Sequence, residues 1–322
     1  MKRFISELFA IQKKPRRGLL PIEWLMFGYM LFTLFIIFFT YTKVVNPEAM
    51  IYGRLQVCLM TVALWMVYRL LPCRLTVSIR IFVQMALLAW WYPDTYELNR
   101  SLPNLDHLFA AWEQALFGMQ PALTFAASFS SPVVSELMDM GYASFYPMIA
   151  LIALFFFFRR QKDFHRCTFV IVASFFAYYA IYDLLPVVGP TFYYKAVGLD
   201  RIAHGFFPNV HDYFNTHQDC LASPGYRNGI FYQLVEDAKA AGERPTAAFP
   251  SSHVGIATIC LMLARHARNR KIFYLLMPFY VFLCMATVYI QAHYVIDAVA
   301  GLASGVLFYV VFMRLYRCIE SA

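Results

Sequence analysis

What most limits the fold of this chain is a series of apolar stretches at roughly 23–42, 55–71, 77–93, 138–158, 167–188, 247–264, 272–290 and 293–313. About 20 mostly apolar residues form a helix that crosses a bilayer. The sequence therefore predicts an all-α integral membrane protein with about eight transmembrane helices. Composition agrees, with 61% hydrophobic and 14% charged residues, against roughly 45–50% and 25% in soluble domains. Soluble, disordered and disulfide-rich secreted classes are excluded. The seven cysteines include no CxxC pair, so neither a disulfide framework nor a zinc site is expected. A net charge of +8 would suggest a nucleic-acid partner in a soluble protein. In a membrane protein it reflects basic residues gathered on the cytoplasmic side, and no nucleic-acid partner is expected.

Charge also sets orientation. With a cytoplasmic N-terminus, 19 of the 27 Lys and Arg residues fall inside, while 15 of the 19 acidic residues lie outside or near the outer helix ends. Both termini are therefore expected in the cytoplasm. The chain divides into N-terminal helices (1–93), an outer interfacial segment (94–135) and a membrane core (136–322) that includes an outer loop, 189–246. In the interfacial segment Leu105, Leu108, Phe109, Trp112, Leu116 and Phe117 recur at helical spacing and predict a short amphipathic helix on the membrane surface. Aromatic residues throughout the outer loop predict packed structure there.

Three polar clusters share one membrane depth. Asp183 to Lys195 closes the fifth helix and contains Pro186, Gly189 and Pro190; Pro250-Ser251-Ser252-His253 opens the sixth; His293-Tyr294-Val295-Ile296-Asp297 opens the eighth. A helix start with a Ser cap offers free amides to an anion, and a His beside it can move a proton. His293 and Asp297, four apart, are expected on one helix face, where Asp297 can fix the His tautomer. Each cluster alone also suits a helix stop, a cap or a structural pair. Together they suit phosphoryl transfer, with one His as nucleophile and the other as acid. No carboxylate cage accompanies them, so no metal or cofactor is expected. A transporter or lipid-binding scaffold with a polar cavity is the non-enzymatic alternative.

The Pro250-Ser251-Ser252-His253 run followed by His293-xxx-Asp297 resembles the membrane-bound type 2 phosphatidic acid phosphatase superfamily. Tyr289 to Asp297, Asp106 with Leu116-Phe117-Gly118, Gln120-Pro121, and Pro186 through Gly189-Pro190 resemble its inositol phosphorylceramide synthase branch, fungal and bacterial. The resemblance spans roughly 94–313 and implies a six-helix core, with the first two helices as an extension. It implies that His293 forms a phosphohistidine, Asp297 orients it, His253 acts as acid and then base, and Ser251 and Ser252 hold the phosphate. Gly189 and Pro190 stand where the phosphatases carry Arg-Pro, and Ala286 and Thr287 stand in place of their Ser-Arg pair.

A pocket poorer in cations favours a phosphodiester, with about one negative charge, over a monoester with nearly two. The expected reaction is transfer of a phosphoinositol-type head group from a phosphatidylinositol-like donor to a ceramide-like hydroxyl. A lipid phosphate phosphatase is the alternative within the superfamily. Lys195, Arg201, Arg227 and Arg244 are candidate replacement cations, Arg244 foremost for its nearness to His253. The setting implied is a bacterial inner membrane, with the site at the periplasmic face, or else a lumenal one.

Overall fold

The computed structural model describes residues 2–321, and the regular structure among them is helical. In chain order the helices are α1 (Lys2–Phe9), α2 (Pro21–Phe39), α3 (Pro47–Leu70), α4 (Arg74–Asn99), α5 (Asp106–Phe117), α6 (Pro121–Ser128), α7 (Pro132–Ala143), α8 (Phe145–Arg159), α9 (Gln161–Leu184), α10 (Pro190–Val197), α11 (Leu199–Ala203), α12 (Ile230–Gly242), α13 (Ser252–His266), α14 (Arg270–Tyr289) and α15 (Val295–Ser321). Among the described residues six helices, α2, α3, α4, α9, α14 and α15, are long and apolar enough to cross a membrane. The pair α7 and α8, bent by 46°, makes a seventh crossing if counted as one span.

The remaining expected span, 247–264, is the short helix α13, which starts only at Ser252 and has 15 residues. At 1.5 Å per residue it is about 22 Å long, less than the roughly 30 Å hydrocarbon layer. The expected helix 138–158 is interrupted at Ser144, whose amide and hydroxyl both bond the Gly141 carbonyl.

Helix α9 is the central post, packed against α2, α4, α8, α13 and α15. Several charged and polar residues in the spans pair with one another inside the protein, in keeping with the cost of unpaired charge in hydrocarbon. Arg80 on α4 grips Glu23 on α2 through two hydrogen bonds of 2.7 and 2.5 Å, with both side chains fully buried. Arg54 on α3 pairs with Asp94 on α4 at 2.9 Å, and Gln84 donates to Thr61 at 3.2 Å.

Helices α13 and α15 meet almost backbone to backbone. A Cβ added at Gly305 would lie 2.6 Å from the Gly255 carbonyl oxygen, and one at Gly301 would collide with the Ser251 carbonyl. Small residues permit this approach, and it brings the starts of α13 and α15 together.

Segment 189–246 is structured, with α10, α11, a 3₁₀ turn at Tyr213–Asn215 and α12. Phe192, Tyr193, Tyr194, Ile202 and Phe214 from it enter one buried cluster with Phe109 and Tyr294. Helix α5 forms where the apolar repeat predicts. Its buried face carries Asp106, Phe109, Ala110 and Glu113, while Leu108, Trp112, Leu116 and Phe117 are exposed. The acids point into the protein and most of the apolar stripe points out.

Candidate active site

His253 lies in the first turn of α13. Ser251 caps this helix, its Oγ accepting the Val254 amide at 3.4 Å, and its own amide donates to the Asp297 carbonyl at 3.0 Å. The Tyr182 hydroxyl donates to the Pro250 carbonyl at 2.8 Å and accepts the Ser252 amide at 3.0 Å. These bonds occupy three of the amides a helix start normally leaves free. The His253 amide has no partner among the described residues. The His253 ring stacks on Tyr142 with centroids 4.7 Å apart and touches Phe145 at 4.4 Å.

His293 faces it, ring centroids 5.7 Å apart at an interplanar angle of 63°. His293 is 4% exposed. The expectation that His293 and Asp297 share a helix face needs correction, because α15 begins at Val295 and His293 belongs to the turn before it. Its amide donates to the Thr287 carbonyl at 2.9 Å. Asp297 acts first as a cap, Oδ2 accepting the Tyr294 amide at 2.9 Å. The same oxygen lies 3.6 Å from His293 Nδ1, close enough to attract a proton on that nitrogen though beyond hydrogen-bond distance.

The turn holding His293 is braced from α5. The buried Asp106 carboxylate accepts four hydrogen bonds, from the Val188 and Gly189 amides at 2.8 and 2.9 Å, the Asn104 side chain at 2.8 Å and the Tyr294 hydroxyl at 3.2 Å. Burial pushes its pKa up to about 6 against the pull of those bonds. Gly189 and Pro190 are buried. With its amide given to Asp106, Gly189 braces the backbone at Ala292, the residue before His293, rather than offering that amide to a phosphate. Its φ of +87° and its approach to the Ala292 carbonyl, 2.5 Å from an added Cβ, account for glycine there.

One turn-start further along, Glu113 Oε1 accepts the Ile296 amide at 3.1 Å, and burial pushes the Glu113 carboxyl up to about 7. Sequence reasoning passed over Glu113 and Tyr182 as site residues. Their only sequence signal was a carboxylate seven residues after Asp106, and so on its helix face, and a tyrosine beside Asp183.

The four candidate cations do not enter the pocket. Lys195, Arg201, Arg227 and Arg244 are exposed. Arg201 lies over the Phe206 ring at 5.8 Å, and Arg244 donates to the neighbouring Glu243 carbonyl at 3.3 Å. Ala286 and Thr287 are fully buried, and the Thr287 hydroxyl donates to the Cys284 carbonyl at 2.9 Å. Among the described residues no group of three or more His, Cys, Asp or Glu side chains is arranged to hold a metal ion.

Two facing histidines, one beside a carboxylate, thus lie at a capped helix start inside an all-α membrane bundle. The family model of the PAP2 superfamily matches residues 107–311, more than half of the chain. The protein belongs to that superfamily, whose phosphatases and phosphotransferases act on lipid phosphates. No curated protein and no solved structure matches it.

Proposed function

We propose that the protein is a phosphotransferase that moves a phosphoinositol-type head group from a phospholipid to a ceramide-like hydroxyl. His293 Nε2 attacks the phosphorus and the bond to the diacylglycerol oxygen breaks, His253 giving that oxygen its proton. His253 then takes the proton of the acceptor hydroxyl, which attacks the phosphohistidine and releases His293. Asp297 stabilises the charge on His293 as it forms.

The observation that carries this reading is a pocket that is closed and poor in cations. His293 is 4% exposed, His253 is sheathed by Tyr142 and Phe145, and the four candidate cations are at the surface. Limited water favours a lipid acceptor over hydrolysis, and a single negative charge suits the weak positive field. With the short helix α13 counted as an eighth crossing, the basic residues, 19 of 27 at the opposite end of the spans, support cytoplasmic termini and a site facing the periplasm of a bacterial inner membrane, or a lumen.

The test is incubation of purified protein with phosphatidylinositol, with and without ceramide. Inositol phosphorylceramide and diacylglycerol are expected, with slow hydrolysis when ceramide is absent. Rapid phosphate release from phosphatidic acid, with no phosphosphingolipid formed, would establish the phosphatase instead.

A further inference from the structure

The turn that carries His253 is held from outside the region that matches the family. Asn99 ends α4 and precedes the matched residues 107–311. Its side chain is buried, and Nδ2 donates both of its hydrogens, to the Tyr182 carbonyl at 3.1 Å and to Thr246 Oγ1 at 2.6 Å. The Tyr182 carbonyl needs such a donor. In a continuing helix it would accept the amide of residue 186, but that residue is a proline and has no N–H. Thr246 is satisfied on both sides. The Thr95 hydroxyl gives its proton to the Tyr92 carbonyl at 2.8 Å, so Thr246 is the donor across the 3.4 Å between the two threonines.

Both acceptors lead to His253. Tyr182 grips the start of α13 through its hydroxyl, at the Pro250 carbonyl (2.8 Å) and the Ser252 amide (3.0 Å). Thr246 begins the run of chain into the same helix start. Ala247, next to it, has a φ of +68°. That left-handed backbone costs about 1–2 kcal/mol in a residue with a Cβ and persists only where the surroundings hold it. The Thr246 side chain is one hold, and the Ala248 amide, which donates to the Val187 carbonyl at 3.0 Å, is the other. One side chain on α4 thus ties together the end of α9 and the entry to α13.

We propose that Asn99 is a positioning residue for His253, and that the N-terminal helices are through it part of the catalytic architecture. The inference rests on His253 being the acid that protonates the leaving oxygen, and is independent of the head group and the acceptor. Without the Asn99 amide the Tyr182 carbonyl loses its donor and Thr246 loses its tie to α4. The first turn of α13 then shifts and carries the His253 ring away from the leaving oxygen. The loss should therefore fall on substrates whose leaving group needs a proton.

The experiment compares full-length wild type, Asn99→Ala, Thr246→Val and Thr246→Ser in lipid–detergent micelles, with kcat/KM taken per folded protein from thermal unfolding. Two leaving groups are used. Phosphatidylinositol releases a diacylglycerol oxygen that must be protonated, whereas a hexadecyl p-nitrophenyl phosphodiester releases nitrophenolate, which needs no acid. Asn99→Ala should lower kcat/KM for phosphatidylinositol by about 10²-fold and for the nitrophenyl ester by less than about threefold. Thr246→Val, close in shape but without the hydroxyl, should show the same selective loss at about tenfold. Thr246→Ser keeps the oxygen and should recover to within about threefold of wild type. Should Asn99→Ala not fold, the two Thr246 variants decide. Equal losses on the two esters overturn the positioning role, as does a Thr246→Ser no better than Thr246→Val. If wild type leaves phosphatidylinositol intact and cleaves phosphatidic acid, which has the same leaving oxygen, the comparison is made with that lipid. A selective loss there rejects the head-group transfer and keeps the role of Asn99, and a loss equal to that on the nitrophenyl ester rejects both.

Discussion

Substituting Gly189 by alanine tests whether the backbone brace positions the nucleophile. The new Cβ would sit 2.5 Å from the Ala292 carbonyl oxygen and 3.2 Å from the Ala248 Cβ. Ordinary contact begins at 3.4 Å, so one of two backbones must move by roughly 0.9 Å. Neither is free, since the Gly189 amide is held by Asp106 and the His293 amide, next to Ala292, by the Thr287 carbonyl. Ala292 precedes His293, and the strain therefore falls on the reacting ring. The φ of +87° adds about 1–2 kcal/mol for any residue with a Cβ. A displacement of this size at a reacting group costs on the order of 10²-fold in rate.

Gly198→Ala is the matched control. Its φ is +96° but nothing lies within 4 Å of the added atom, so it carries the backbone cost alone. The assay is diacylglycerol release from the phospholipid donor, alongside thermal unfolding of both variants. Gly189→Ala should lose about two orders of magnitude in kcat, and Gly198→Ala little. Equal activities for the two variants would refute the argument that contact with Ala292 sets the position of His293.

Further outcomes are expected. His293→Ala and His253→Ala should abolish turnover in folded protein, and Asp297→Asn should leave a small residual activity, because Asp297 orients and the histidines make and break bonds; acid-labile phosphate on wild-type protein and its absence from His293→Ala reports the covalent step. Chelators should change kcat by less than about twofold, measured with and without added divalent ions. Glu23→Gln leaves Arg80 buried without its counter-charge and should cost about 3–5 kcal/mol, seen as a lowered thermal midpoint with the site chemistry unchanged in the surviving folded fraction. Cys220 is half-buried in the loop segment, so an impermeant thiol reagent should label it slowly in intact spheroplasts; labelling only after lysis would reverse the orientation.

Both the fold class and the two histidines were legible in the sequence, for a physical reason. Spanning a bilayer imposes a length of apolar residues that few other structures need, and charge asymmetry orders those spans, so residues 40 apart, His253 and His293, could be set at one depth. The Ser251 cap was legible because capping is local. The tertiary structure decided what locality could not. A 15-residue α13 could not be separated from a full span by hydropathy. Where α15 starts, and so whether His293 is helical, depends on the Asp297 and Glu113 carboxyls that take its first amides.

The role of α5 was hidden for the same reason. In a soluble protein an apolar stripe marks the buried face, but beside lipid apolarity and burial separate, and here Trp112 and Leu116 are exposed while Asp106 and Glu113 are buried. Likewise Arg244 is near His253 in sequence and at the surface in space. Only packing reveals that Gly189 and Tyr182, far from either histidine along the chain, brace the two turns from which the histidines project.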